Sequence, residues 1–340
     1  VSELRAPAAG LTSMPAVPGD TRLVDLAWNE LTELPAWVAG LPALEELRLD
    51  GNRLRSLPDL SPLTALRALH LDGNALTAFP ACPPLLETLF LYGNAVESIP
   101  DRLPAHLRHL AVGGNRLTAV PAAVWELTRL ESLNLAENAL TAIPPAIARL
   151  TELRMLDLGH NRLTGLPAEL GDLPLTDYLY LSDNTLTEIP GTLGALDRLA
   201  YLNVTDNRLT RLPGTIGRMA SLVELRLYNN RLEALPESIG GLSRLRELHL
   251  RGNRLTGLPA SIGDLGELRV LDLRGNQLRE LPAELAKLDR LSHLDLRGNR
   301  LRELPGRLPF VDKLDLRWNK LDGDPPVLRE LAERGCVILR

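Results

Sequence analysis

Cysteine is almost missing from these 340 residues: only Cys82 and Cys336 occur, far apart, with no CxxC pair and no clustered partners. Neither a disulfide framework nor a thiolate zinc site organises such a chain, and a reducing compartment is its expected home. Aromatic residues make up 4%, so the apolar mass behind a hydrophobic content of 45% must be aliphatic, chiefly Leu and Ala. Lysine is confined to Lys287, Lys313 and Lys320, which leaves nearly all positive charge to arginine, a composition of bacterial style. A formal net charge of −5 is too small for a generic nucleic-acid or membrane footprint, so charge-driven binding must be local. No apolar run approaches the roughly 18 residues of a membrane span, and the opening "VSELRAPAAGLTSMPAVPGD" lacks a basic segment followed by an apolar one. The expectation is a soluble, cytoplasmic, monomeric protein that contacts neither nucleic acid nor membrane.

What is present is repetition. "LDLRGNQLRELPAELAKLDRLSHLDLRGNRLRELPG" (Leu271 to Gly306) states nearly the same phrase twice, 23 residues apart. Aligned on its asparagine, the phrase recurs at Asn29, Asn52, Asn74, Asn94, Asn115, Asn138, Asn161, Asn184, Asn207, Asn230, Asn253, Asn276, Asn299 and Asn319. The alternation of apolar and polar letters before each Asn suits a short strand with one face inward. One unit cannot bury its leucines alone, so neighbours must stack into a parallel sheet whose strands return on the opposite side. An interior Asn both donates to and accepts from backbone, so stacked copies form a ladder of satisfied polar groups. The Leu-Pro pair that follows closes the strand side, because Pro lacks the donor a ladder needs.

The pattern LxxLxLxxNxL, carried in full by "LRVLDLRGNQLRELP" (Leu268 to Pro282), resembles the leucine-rich-repeat family over essentially the whole chain. The resemblance implies an α/β fold: a leucine-rich-repeat solenoid, a curved horseshoe of about 15 repeats with a parallel β-sheet on the concave face. Short helices, 3-10 turns and extended segments belong on the convex face. Anchor spacing is 23 from Asn115 to Asn299, but 22, 20 and 21 from Asn52 to Asn115 and 20 from Asn299 to Asn319. The longer units resemble intracellular Ras-associated leucine-rich scaffolds, and the shorter ones the repeats of secreted bacterial effectors. Shortening falls on the outer connection: "PAAVWELTRL" (Pro121 to Leu130) can form a helical turn, whereas "PDRLPAHL" (Pro100 to Leu107) is more extended.

Three segments are expected. Residues 1–20 read as a worn first repeat acting as a cap, with Ala9 where Asn should be, or as the tail of an upstream segment. Residues 21–324 are the array, and 325–340 are a cap made of a helix from Pro326 to Arg334, a stop at Gly335 and a terminal strand.

Function must lie in the letters that change, since the constant ones are consumed by packing. The third, fifth, seventh and eighth letters of LxxLxLxxN face out from the sheet or border it. All five tyrosines fall there, as do five of the six histidines. Tyr178, Tyr180, Tyr201 and Tyr228 form a central aromatic patch, and Phe90 and Tyr92, with His109, a second one upstream. Tyr has an apolar body and a polar tip and anchors protein interfaces. In the eighth column Glu137, His160, Asp183 and Asp206 run in succession, and the two aspartates are expected to receive a basic group of a partner, although Arg226 could reach them. The seventh column carries Arg251, Arg274, Arg297 and Arg317, which either pair with Asp272, Asp295 and Asp315 two residues earlier or receive acidic groups of a partner. The partner-binding candidates are therefore Phe90, Tyr92, His109, His160, Tyr178, Tyr180, Asp183, Tyr201, Asp206, Arg226, Tyr228, Arg251, Arg274 and Arg297.

No GxxxxGK[ST], HExxH or GxSxG motif occurs. A metal site at His160, Asp183 and Asp206 is disfavoured because neighbouring side chains on a flat sheet splay apart. No enzyme activity and no cofactor are expected. The reading is a binding module that recognises a partner protein on the concave face; the alternative is the recognition arm of a bacterial effector or signalling enzyme whose catalytic domain lies outside this chain.

Overall fold

Leucine spacing sets the sheet. Each LxL places one apolar side chain beneath a strand and its two flanking residues above it, and nearly every three-residue strand has a buried centre between two partly exposed neighbours. The computed structural model describes residues 2–340. By its internal packing the chain divides into two compact units, Val1–Arg162 and Leu163–Arg340. The first holds Ser2–Arg5 (β1), Thr21–Asp25 (β2), Glu46–Arg48 (β3), Ala68–His70 (β4), Thr88–Phe90 (β5), His109–Ala111 (β6), Ser132–Asn134 (β7) and Met155–Asp157 (β8). Each pairs in parallel with the next. The second holds Tyr178–Tyr180 (β9), Tyr201–Asn203 (β10), Glu224–Arg226 (β11), Glu247–His249 (β12), Val270–Asp272 (β13), His293–Asp295 (β14), Lys313–Asp315 (β15) and Val337–Leu339 (β16), again parallel and in chain order. Register aligns Leu202, Leu225, Leu248, Leu271, Leu294 and Leu314 into one column, each 0–2% exposed.

The outer connections follow repeat length. The segment "PAAVWELTRL" forms the helical turn Ala122–Trp125 (α1), while the shorter repeats between β3 and β6 carry no helix among the described residues. In the second unit the 23-residue repeats place single 3-10 turns there, such as Ile216–Arg218, Glu237–Gly241 and Ala260–Asp264. Proline does more than close the strand side: Pro259 is extended at φ −68° and its carbonyl accepts the first N–H of the turn, from Ile262 at 3.1 Å. Fixed φ and a missing donor suit proline to that position.

The asparagine ladder forms as its chemistry requires. Asn230 accepts the Leu209 N–H at 3.0 Å on Oδ1, and its Nδ2 donates to Val204 O at 2.9 Å and Leu227 O at 3.1 Å. Two of these bonds reach back to the preceding repeat and one closes Asn230's own turn. At the first repeat the same role falls to Asn29, whose Oδ1 accepts from Ala9 N and Leu11 N at 3.0 and 2.9 Å. The residue before each Asn takes a left-handed backbone. Half of the repeats use glycine there, and in the other half Trp28, Glu137, His160, Asp183, Asp206, Asn229 and Trp318 adopt φ between 51° and 62°. Near the other end, Pro326–Glu333 is helical (α2), Gly335 turns the chain at φ +97°, and β16 pairs with β15. Cys336 is buried behind them.

Candidate functional site

The strands deliver their third and fifth residues to one face, and the seventh follows just beyond. In the first unit this brings Phe90 of β5 against His70 of β4, edge to face at 5.1 Å and 87°. Burial pushes the His70 imidazolium pKa down despite nearby Asp50 and Glu46. Tyr92 does not stand upright as an anchor. Its ring lies over Gly113, where a Cβ would come within 2.8 Å of Tyr92 Cδ2, and its hydroxyl donates to Glu137. That bond, with burial, raises the phenol to about 12. His109 Nδ1 lies 3.3 Å from Ser132 Oγ, and His160 sits exposed on its left-handed turn at φ 51°.

Asp72 bears the electrostatic load in this unit. Its Oδ1 accepts the Tyr92 N–H at 2.6 Å, yet burial, helped by Asp50, pushes its pKa up to about 6. An unfolded aspartate titrates near 3.9, so the folded state holds this proton more tightly. The contribution to stability is full below about pH 4 and is lost as pH rises through about 6. Asp72→Asn keeps the acceptor and is expected to raise the stability at pH 7 by on the order of 1 kcal/mol after solvent screening, and the melting midpoint with it. It should also flatten the pH dependence between about 4 and 7, which thermal melts across that range would test.

In the second unit, Tyr178 and Tyr180 stack at 4.4 Å and 21°, and Tyr201 meets Tyr180 edge-on at 5.2 Å. The guanidinium of Arg226 lies over the Tyr201 ring at 5.4 Å and that of Arg251 over Tyr228 at 5.2 Å. Burial raises the Tyr201 phenol, so it stays protonated and able to donate. Tyr228 lies one repeat beyond Tyr201 and two beyond Tyr178 and Tyr180. Asp183 is exposed at φ 55°, and Asp206 accepts from Asn229 Nδ2 at 2.8 Å.

The charges of these columns are met unevenly. Arg226, which could have reached Asp183 and Asp206, bonds to Glu224 on its own strand, two residues away. The arginine checkerboard is only partial. Arg317 pairs with Asp315 at 2.7 Å, and Arg297 with Asp295 and, at 3.3 Å, with Asp315. Burial alone would raise the Asp315 carboxyl, but the Arg317 hydrogen bonds and the Arg297 charge hold it below its usual value. Arg274 uses only its backbone N–H on Asp272, at 3.1 Å, and forms no ion pair among the described residues. Burial raises the Asp272 carboxyl pKa, with Asp295 adding to it.

Residue-by-residue reading missed two features. A cavity of about 310 Å³ opens beside Val270, between His249 and His293, with Asp272, Asp295 and Lys313 in its walls. Next to it Glu224, Glu247 and His249 converge, with one donor atom from each within 4.8 Å of the others. The signal was present: "ELR" at 224–226 and "ELH" at 247–249 put glutamates at the third letter of successive repeats, directly opposite across the ladder.

Comparison with known proteins agrees with this architecture. The family described as "Leucine-rich repeat region" matches residues 145–250 and 229–332, and "Leucine rich repeat" matches 105–163. A Drosophila melanogaster leucine-rich repeat and calponin homology domain-containing protein is 44% identical over 123 residues, 34% of this chain and 15% of that protein. Mouse podocan is 30% identical over 118 residues, 17% of its length. The chain thus spans under a fifth of the curated relatives it matches. Among solved structures, a leucine-rich-repeat protein of Leptospira interrogans superposes with a TM-score of 0.88 at 32% identity, covering 98% of this chain and 94% of that one. YopM from Yersinia enterocolitica gives 0.66 at 27% identity, covering 96% and 76%. Repeated strands, asparagine ladder and matched segments together make this chain a member of the leucine-rich-repeat family, of the bacterial type.

Proposed function

We propose that this chain is a non-enzymatic binding module that holds a partner protein against the strand face of its second unit. The observation that carries this is the cluster of Tyr178, Tyr180 and Tyr201, half-buried, mutually stacked and capped by Arg226. Rings fixed by their neighbours lose little side-chain freedom when a partner docks, so more of their contact area appears as affinity. Asp183 and Asp206 on one border and Arg251 and Arg274 on the other give a docking protein both signs of charge to align with. Internally paired Arg297 contributes less, since its charge is already met. Phe90, Tyr92, His109 and His160 form a secondary contact surface in the first unit, weaker because Tyr92 lies flat.

The double substitution Tyr180→Ala, Tyr201→Ala is expected to lower partner capture at least about tenfold. The thermal midpoint should move little, because each ring pair adds only about 1 kcal/mol. Quantitative affinity capture beside a melt decides it; undiminished capture sinks the patch. A second reading makes the chain the recognition arm of a larger bacterial protein whose catalytic domain lies outside it. It is favoured by the Drosophila relative, whose name joins such repeats to a second kind of domain. A longer reading frame encoding an enzyme beside the repeats would establish it.

A further inference from the structure

We propose that Glu224, Glu247 and His249 form a binding site for a divalent transition-metal ion of the zinc type. Three observations converge on it. First, the spacing is right. A tetrahedral ion with bonds of about 2.0–2.1 Å needs donors roughly 3.4 Å apart. His249 Nε2 lies 3.1 Å from Glu247 Oε2 and 3.7 Å from Glu224 Oε1, so the two measured separations bracket that value. The objection that strand side chains splay does not apply, because the imidazole at the fifth letter leans back between two carboxylates at the third.

Second, the charge arrangement calls for a cation. Glu224 and Glu247 are direct neighbours in the parallel ladder, a pairing of like charges that costs stability unless a cationic group stands between them. His249 Nε2 holds that place, hydrogen-bonded to Glu247, and a divalent ion would share it with the imidazole as a third ligand. Arg226 bonds only the first of them. With Arg226 and a divalent ion against the two glutamates the local sum is one positive charge, and half-buried Asp272, aligned with His249 on the next strand, offsets it. Arg226 Nε donates to Glu224 Oε1, the same oxygen that lies 3.7 Å from His249 Nε2, so it fixes the position of the oxygen an ion would share.

Third, the first unit contains an internal comparison. There Glu46, Arg48 and His70 repeat the same arrangement, with Arg48 Nε on Glu46 at 2.6 Å and His70 Nε2 at 3.5 Å from Glu46. Ala68 stands where the second unit has Glu247. The glutamate-arginine-histidine group therefore serves the sheet without a metal, and Glu247 is the added donor that turns it into a three-ligand site. All three side chains are partly exposed, so a fourth position can be taken by water or by a group on a docked protein. The imidazole selects zinc-like ions over magnesium, which prefers an all-oxygen octahedron.

The test is equilibrium dialysis of the tag-free full chain against micromolar zinc chloride, with bound metal counted by mass spectrometry, and against magnesium in parallel. Expected are one zinc and no magnesium per chain, with a zinc-dependent rise in melting midpoint. His249→Ala and Glu247→Gln should each weaken binding by about 100-fold or more, exceeding typical outer-shell losses, while His70→Ala leaves it intact. Melts in chelator separate lost ligands from lost fold: each variant should still unfold in one cooperative transition, with Glu247→Gln no less stable than wild type because a like-charge pair is relieved. No zinc at tens of micromolar overturns the proposal, as does full stoichiometry in both His249→Ala and Glu247→Gln.

Discussion

Gly217→Ala is expected to lower the stability of the second unit by about 3 kcal/mol, although it adds one methyl group at a half-exposed position. A Cβ on Gly217 would sit 1.9 Å from the Ser238 carbonyl oxygen and 2.8 Å from its carbon. Both are backbone atoms of the next outer turn, and neither has a rotamer to escape into. The turns stack through such glycines: Gly240 meets the Ser261 carbonyl at 2.6 Å and Gly263 the Glu284 carbonyl at 2.4 Å, measured from the same hypothetical carbon. A methyl group therefore separates two repeats along their convex side while their strands remain paired, and in a stacked array the damage falls on that interface. Gly214→Ala is the matched control. Nothing lies within 4 Å of its added carbon, so it should be neutral or slightly stabilising. Melting of the two variants side by side checks this; equal midpoints would mean that the outer turns yield freely.

Asn230→Leu should be of similar severity for a different reason. Asn230 is 7% exposed, and leucine fills its space while leaving the Leu209 N–H without its partner and the carbonyls of Val204 and Leu227 with only their bonds from Asn207 and Asn253. The unmet buried N–H costs about 1–3 kcal/mol and each carbonyl's lost second bond less, for a sum of roughly 2–4 kcal/mol. Asn230→Asp restores the acceptor for Leu209 but turns a carboxylate toward two carbonyl oxygens, so it should rescue little. Asn94 makes the same set of bonds from a half-buried position. Water can replace some of them there, and Asn94→Leu should cost about half as much. Hydrogen exchange at the Leu209 amide gives the local readout: it should accelerate in Asn230→Leu and stay slow in Asn94→Leu.

The strands, the ladder and the split between helical and extended connections were legible because leucine, asparagine and proline are consumed by local geometry that repeats. Side-chain direction on the variable face was not. Tyr92 lies flat because Gly113 has no side chain, and its hydroxyl partner Glu137 is 45 residues away. No column of letters displays that. Arg274 and Arg297 sit in identical "LDLRGN" segments, yet only Arg297 forms an ion pair, with Asp295 and Asp315 both in reach. Asp272 lies beside His249 and Arg251 instead, so identical words acquire different meanings from their neighbours. The eighth letter was read as a charge column, but it is first a backbone constraint. Glycine is the easy residue there, and Glu137, His160, Asp183, Asp206 and Asn229 hold the left-handed turn against side-chain sterics.

The asparagine bonds have a direction. Asn230 satisfies groups of the coil before it, Asn253 does the same for the coil of Asn230, and so on toward the carboxyl end. A nascent chain leaving the ribosome therefore has each finished coil sealed by the one emerging behind it, like a ratchet advancing one tooth per repeat. At any pause in translation the amide still awaiting its amide oxygen is always in the newest coil, so vulnerability to a chaperone or protease travels with the exit tunnel and leaves closed structure ahead of it.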